Sequence, residues 1–262
     1  MPGTILVGID SSTPSRSAIR WSIGRAAAIG AGVELLHVID NDDDDRRLRA
    51  GQLVQRELAW AREVDARVPI TASLAGGRPV VVLARRSAGH RLLVVGTHKT
   101  GFIYGRSFGS GFLSLGSTAH CDVAFIPDLV GTERRGVVAG VQESSVGDTV
   151  IQLAGAEAVR STQELTLIGS WYPATLHGRE EVRGAERAAS LRRCVRLVKE
   201  TQPKVRVRSR MVDAAMAEAL VVASTNAALL VIGQPRTEPA LSAVNHDVLV
   251  NMSGPVMLIL EG

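Results

Sequence analysis

The residues best suited to chemistry in this chain lie in one glycine-rich stretch, residues 94–111, which reads VVGTHKTGFIYGRSFGSG. From Gly96 onward, five of sixteen positions are glycine, Lys99 and Arg106 carry positive charge, and Ser110 offers a hydroxyl. Glycines let a backbone approach a ligand closely, and the free amides at a helix start attract an anion. The stretch therefore indicates either a phosphate cradle or a flexible connection, and its composition leaves both open.

The same stretch partly resembles two enzymatic motifs. A Walker A loop has a glycine directly before its lysine, whereas His98 precedes Lys99 here, so that motif is absent. Residues 105–109 do match GxSxG, the nucleophile elbow of α/β hydrolases, with Ser107 as nucleophile. That elbow follows directly on a strand, and the strand here is expected to end about a dozen residues earlier, near Val95. A serine hydrolase stays an alternative.

Composition excludes several other classes of function. The chain has 262 residues, 45% hydrophobic and 21% charged, which suits two globular domains of about 130 residues. Its net charge is only +4, its basic residues look scattered and its aromatics make up 3%, so no nucleic-acid partner is expected. Cys121 and Cys194 lack metal-site or disulfide spacing. Without a leader or a membrane-length apolar run, the expected location is cytoplasmic, with no membrane partner.

The chain pattern predicts an α/β fold that occurs twice. Short Val/Ile/Leu runs alternate with segments of helical period, which is typical of βαβ units and a parallel sheet. Strands are predicted at 4–10, 33–39, 69–76, 91–96 and 122–127, and their counterparts in the second half fall within 136–145, 164–171, 205–212, 228–233 and 254–260. A helix is predicted over 110–120. We therefore expect two tandem five-stranded parallel-sheet domains, Rossmann-like with helices on both faces, over 1–128 and 136–262, joined by a linker at 129–135.

The spacing of the glycines in residues 96–110 resembles a motif of a known protein family. Nucleotide-binding universal stress proteins carry the motif G-2x-G-9x-G-[S/T], and Gly96 with Gly109-Ser110 reproduces its spacing, with Lys99 in the place of the second glycine. Further matches are VGID with Ser12 (residues 7–12), LLHVID (35–40) and HCDV (120–123), so the resemblance covers nearly all of residues 4–127. The whole chain resembles a tandem universal stress protein with the adenine nucleotide alpha hydrolase-like fold.

The resemblance implies a site for ATP or a related adenine nucleotide in the N-terminal domain. By that resemblance Asp10 would face the adenosine, the Val38 backbone would contact adenine, and Gly96, Thr97, Gly109 and Ser110 would line the phosphates. Arg106 could add charge, while Lys99 could either pair with the phosphates or crowd them. Any Mg²⁺ is expected to arrive with ATP, because the acidic run at 40–45 suits helix entry better than metal binding.

The second repeat keeps the strands but has lost the motif. Gln142 stands in the place of Asp10, Ser242-Ala243 in the place of Gly109-Ser110, and the intervening loop is shorter and holds two prolines. We therefore expect at most one nucleotide per chain. By resemblance, the second domain would serve as a structural partner that pairs with the first. A regulatory pocket in the second domain is the alternative, and homodimer formation is left open.

The implied function is a stress-response sensor or regulator that binds ATP, works through an unidentified protein partner, and is not an efficient enzyme. Slow ATP hydrolysis is left open. The alternative is a non-nucleotide scaffold that acts through dimerisation and partner binding.

Overall fold

The computed structural model describes residues 3–40, 44–97, 112–129, 133–141, 147–171, 180–238 and 240–261. The chain divides into two compact units, Met1–Val130 and Gly131–Gly262. Among the described residues, no helix has both the length and the apolar character needed to cross a membrane.

The first unit alternates strands and helices around one parallel sheet. Its elements are β1 (Ile5–Gly8), α1 (Thr13–Ile29), β2 (Val33–Ile39), α2 (Asp44–Val64), β3 (Ile70–Gly76), α3 (Pro79–Ser87), β4 (Leu92–Thr97), α4 (Leu115–Thr118) and β5 (Asp122–Pro127). The strands lie in the order β3-β2-β1-β4-β5, and all neighbours are parallel. The central strands are continuous apolar runs that are almost fully buried, as expected where helices cover both faces of a sheet.

The second unit repeats this architecture. Its elements are β6 (Val137–Gly140), α5 (Gly147–Arg160), β7 (Leu165–Ser170), α6 (Glu180–Thr201), β8 (Val207–Val212), α7 (Met216–Ser224), β9 (Leu229–Pro235), α8 (Ala243–Asn251) and β10 (Val256–Glu261). The strands lie in the order β10-β9-β6-β7-β8, again all parallel. Read from the other edge this is the strand order of the first unit, and the predicted fold class is confirmed.

Several element bounds differ from the sequence prediction for local reasons. Strand β1 ends at Gly8 rather than residue 10, since Ser11 takes a left-handed φ of 64° and Ser12 caps α1. Strand β10 starts at Val256, just after Pro255, which has no amide proton for a sheet ladder. The helix predicted over 110–120 is described only in its later part, where α4 spans Leu115–Thr118.

Candidate functional site

The turn between β1 and α1 is built by Asp10 and two serines. Oδ1 of Asp10 accepts hydrogen bonds from the Ser12 amide at 3.0 Å and the Ser12 hydroxyl at 2.6 Å. Ser12 Oγ in turn accepts from the Ser15 amide at 3.3 Å and so caps α1. The Ser15 hydroxyl accepts from the Asp10 amide at 3.2 Å. These bonds fix the Asp10 carboxylate beside the start of α1 while it stays exposed to solvent.

Gly96 lies on β4, directly against the first turn of α1. A Cβ at this position would come within 2.5 Å of the Pro14 carbonyl carbon and the Ser15 nitrogen, and 2.6 Å of the Pro14 oxygen. These are backbone atoms, so they cannot rotate away as a side chain could. The close approach of helix to strand therefore requires glycine here. The phosphate contact that the resemblance implies for Gly96 stays a prediction.

Strand order brings three of the expected site residues to one edge of the sheet. Gly8 on β1 is paired with Leu36 on β2 and with Val95 on β4. Val38 and Thr97 lie near the ends of β2 and β4, and Asp10 follows just beyond the end of β1. All three therefore stand at the carboxyl edge of three adjacent parallel strands, which are about 4.8 Å apart. The switch in strand order falls between β1 and β4, the place where open α/β sheets bind ligands.

His37 supports this edge from within β2. Its Nδ1 lies 2.7 Å from the carbonyl oxygen of Ile9, the residue before Asp10. Because a carbonyl can only accept, Nδ1 carries the proton in this bond. The half-buried His37 is therefore held in place by the fold.

The remaining expected residues fall outside the described part of the chain. Lys99, Arg106, Gly109 and Ser110 lie there, as do His98 and Ser107 of the motifs considered above and Gln142 of the second repeat. Of the acidic run, Asp44 and Asp45 form the first turn of α2, as helix entry predicts. Among described residues, no cluster of three His, Cys, Asp or Glu side chains is placed to hold a metal ion.

In the second unit, the position of Thr97 is taken by Gln234. Val7 pairs with Val94 in the first unit and Ala139 with Val231 in the second, and Thr97 and Gln234 each follow three residues after the paired valine. Whereas Thr97 is half-buried, Gln234 is only 1% exposed.

Hydrogen bonds engage both ends of the Gln234 carboxamide. Its Oε1 accepts from the Ser242 amide at 3.1 Å and from Asn245 Nδ2 at 2.9 Å. Its Nε2 donates to the Ala240 carbonyl at 3.1 Å and to Glu238 Oε2 at 3.2 Å. The side chain therefore fills the space between the end of β9 and the start of α8.

The start of α8 is satisfied by the same group of residues. Ser242 Oγ accepts from the Asn245 amide at 3.2 Å, and Asn245 Nδ2 also donates to the Gly233 carbonyl at 2.8 Å. Asn245 has no exposed surface. Sequence reasoning noted the loss of the motif here but missed Gln234 and Asn245. Two polar residues flanking a capping serine after a buried strand were the available signal.

A charged cluster lies near the opposite ends of the first unit's strands. Glu34 on β2 accepts hydrogen bonds from Ser73 Oγ at 2.8 Å, from His90 Nε2 at 3.1 Å, and from Arg86. Burial alone would raise the pKa of Glu34 and is the largest single influence on it. The three hydrogen bonds and the charge of Arg86 together outweigh burial and hold that pKa below its ordinary value.

Comparison with known proteins agrees with the fold just described. The model of the universal stress protein family matches residues 1–127. One universal stress protein of Mycobacterium tuberculosis strain H37Rv is 31% identical over 134 residues, which cover 48% of each chain. A second from that strain is 28% identical over 261 residues, covering 87% of this chain and 85% of its own. The crystal structure of a universal stress protein from Archaeoglobus fulgidus DSM 4304 covers 100% of this chain and 97% of its own, with a TM-score of 0.75 at 16% identity.

The first unit therefore belongs to the universal stress protein family, as the motif resemblance implied, and the whole chain is similar to members of that family. The chain spans about half the length of the first of these relatives. Some members of the family bind adenine nucleotides. One solved structure that covers 50% of this chain is a universal stress protein in complex with cAMP (TM-score 0.41, 22% identity), and one from Arabidopsis thaliana that covers 49% has AMP bound (TM-score 0.37, 20% identity).

Proposed function

We propose that the first unit binds an adenine nucleotide, ATP foremost, at the carboxyl edge between β1 and β4. The observation that carries this proposal is that Val38 and Thr97 lie near the ends of β2 and β4, with Asp10 just beyond the end of β1 between them, at the switch in strand order. Ligands of open parallel sheets bind at such an edge, where the ends of strands and the starts of helices meet.

Each of the three residues suits one part of a nucleotide. The exposed Asp10 carboxylate can accept hydrogen bonds from a ribose hydroxyl or an adenine amine. The backbone of Val38 would contact the adenine. Thr97 would start the phosphate site, which the motif residues Gly109 and Ser110 would complete. Lys99 and Arg106 would add charge to the phosphates, and Mg²⁺ would arrive with ATP.

We further propose that a chain holds one nucleotide at most. In the second unit the Gln234 carboxamide occupies the corner that Thr97 borders in the first unit, and it takes up the amide of Ser242. A phosphate there would have to displace four hydrogen bonds of a buried side chain. A buried polar group that loses its hydrogen bonds without replacing them raises the free energy of the folded state, so the second edge stays closed.

The arrangement favours binding over turnover. Asp10 already accepts two hydrogen bonds from Ser12 through one oxygen, and His37 donates its Nδ1 proton to a backbone carbonyl. Both groups are held in place by the fold and are suited to orienting a ligand. The protein would then act as a nucleotide-dependent sensor or regulator with slow hydrolysis or none.

The test is a calorimetric titration of nucleotide-stripped protein with Mg-ATP, repeated with AMP. We expect one site per chain in the wild type and no detectable site in Thr97→Gln, which copies the second unit's side chain into the first. Gln52→Ala, on the exposed face of α2, is the control and should bind as the wild type does. No binding by the wild type would favour the scaffold alternative, and undiminished binding by Thr97→Gln would place the site elsewhere.

A further inference from the structure

Positive charge is concentrated in one segment of the second unit. Residues 184–212 contain nine Arg or Lys against two Glu, a net charge of +7. The whole chain has a net charge of only +4, so the remaining residues together carry −3. The basic residues are therefore not scattered, as they look when counted over the whole chain. The segment comprises most of α6 and all of β8.

Strand β8 is the edge strand of its sheet, and arginines flank it on both faces. Arg206, Arg208 and Arg210 alternate along the chain and are exposed, so they share one face. On the other face, exposed Ser209 lies beneath α6. There a groove of about 490 Å³ runs between helix and strand, lined by Ala189, Arg192, Val195, Arg196 and Ser209.

Most of these arginines have no acidic partner among the described residues. Arg208 pairs with Glu164, and Arg193 pairs with Asp148 at 2.7 Å, on the side of α6 that faces α5. Within the described ranges, Arg192, Arg196, Arg206 and Arg210 form no ion pair. Four guanidinium groups therefore surround the outer side of one edge strand.

The first unit offers a comparison within the same chain. Charged side chains on an edge strand can simply prevent two sheets from pairing. The corresponding edge strand, β3, reads ITASLAG and has no charged residue at all. Edge protection thus does not require arginines in this fold, and the charge on β8 calls for another explanation.

We propose that the arginine-lined edge, defined by Arg192, Arg196, Arg206, Arg208, Ser209 and Arg210, binds an acidic extended segment of a partner protein by strand addition to β8. An added strand would bond its backbone to the outer side of β8, which pairs with β7 on its inner side. Its side chains would alternate between the two faces, so carboxylates would meet guanidinium groups on both.

The same geometry makes nucleic acid the poorer fit. The groove lining contains no aromatic side chain on which a base could stack. Arginines on both faces of a strand suit a ligand whose own groups alternate, whereas a sugar-phosphate backbone presents its charge along one line. An acidic protein segment satisfies both observations.

The test is fluorescence anisotropy with a labelled peptide of about twelve residues that repeats Glu-Glu-Thr-Thr, which places carboxylates on both faces of one strand. We expect saturable binding that weakens with added salt. The double variant Arg192→Glu, Arg196→Glu should weaken binding by at least about tenfold. The control Arg49→Glu, Arg85→Glu, on exposed sites of the first unit, should leave it unchanged.

Two further probes separate the alternatives. A peptide with an N-methyl group on every residue has no backbone donor for a strand ladder and should bind at least about tenfold more weakly. A matched Lys/Thr peptide should not bind. Equal binding to both double variants, or undiminished binding of the N-methylated peptide, would overturn the proposal. So would tighter binding of a single-stranded oligonucleotide through the same arginines. The milder pair Arg206→Gln, Arg210→Gln tests the opposite face should the first double variant fail to fold.

Discussion

Two strand-to-helix turns, one in each unit, both provide a side-chain acceptor for the amide of a capping serine, but the two acceptors differ in their exposure to solvent. After β1, Asp10 Oδ1 accepts from the amide of the capping residue Ser12 at 3.0 Å. After β9, Gln234 Oε1 accepts from the amide of the capping residue Ser242 at 3.1 Å. Asp10 is exposed, whereas Gln234 is buried and its nitrogen is bonded as well as its oxygen.

The buried Gln234, at the position of the half-buried Thr97, indicates how one copy of a duplicated fold can close its ligand edge without changing the sheet. Both units keep the same strand order and the same pairing of the first strand with the fourth. In the second unit a single long side chain reaches from the strand end into the helix start. The donors that a ligand would otherwise satisfy are then satisfied from within the chain.

The largest expected effect is at Gly96, where helix and strand meet in the first unit. Gly96→Val should lower the free energy of unfolding by about 3 kcal/mol or more, because its Cβ would overlap the backbone of Pro14 and Ser15. Gly24→Ala within α1 is the control. No atom lies within 4 Å of its added Cβ, and it should raise stability by roughly 0.5–1 kcal/mol. Urea unfolding measures both, and a fully stable Gly96→Val would contradict this account of the corner.

The next effect is at Gln234. Gln234→Ala should cost about 2 kcal/mol, because it leaves the Ser242 amide and Asn245 Nδ2 without one of their acceptors in a buried place. Gln52→Ala removes the same atoms from an exposed helix position and should change stability by less than about 0.5 kcal/mol. Denaturation of the two variants side by side checks the difference. Equal stability would mean that the carboxamide does not hold the second edge together.

A smaller effect is expected at Asp10. Asp10→Ala removes the acceptor of the Ser12 amide and should cost about 1 kcal/mol, while Asp10→Asn keeps an acceptor oxygen and should stay close to the wild type. Both variants should lower nucleotide affinity, Asp10→Ala by about tenfold. Calorimetry and urea unfolding separate the two effects. Unchanged affinity in both variants would remove Asp10 from the site.

The smallest effect concerns acid and the first unit's Glu34. Its pKa is depressed on folding, so its stabilising contribution is present above the unfolded pKa, which is about 4.3, and is lost as the pH falls through the folded pKa. At pH 7, Glu34→Gln should be less stable than the wild type by about 1 kcal/mol, and the difference should shrink below about pH 4. Urea midpoints at several pH values measure this. A difference that grows on acidification would contradict the sign.

Much of the fold was predictable because it depends on patterns that are local in sequence. The run VELLHVI predicts β2 with the bounds that the structure shows, and the repeat of short apolar runs predicts a second sheet of the same order. The predicted bounds of a strand are wrong where the backbone geometry of one residue ends the strand. Strand β1 ends earlier than its apolar pattern suggests, because Ser11 in the following turn takes a positive φ.

Only the site residues that belong to a family motif could be predicted from the sequence. Asp10, Val38 and Thr97 came from family resemblance, and the strand order brings the ends of β1, β2 and β4 to one edge. The closure of the second edge could not be found that way. Gln234 follows no motif, and its role depends on Ser242 and Asn245, which the fold of the loop brings within reach. The charged edge on β8 could not be predicted because it depends on the fold, which brings α6 and β8 side by side.

The most direct measurement of the central claim is photolabelling with 8-azido-ATP, followed by digestion and mass spectrometry of the labelled peptides. The account predicts label, displaced by excess ATP, on peptides from residues 1–130, the first unit. Competed label on peptides from residues 131–262 would contradict it, because the edge closed by Gln234 would then bind nucleotide after all.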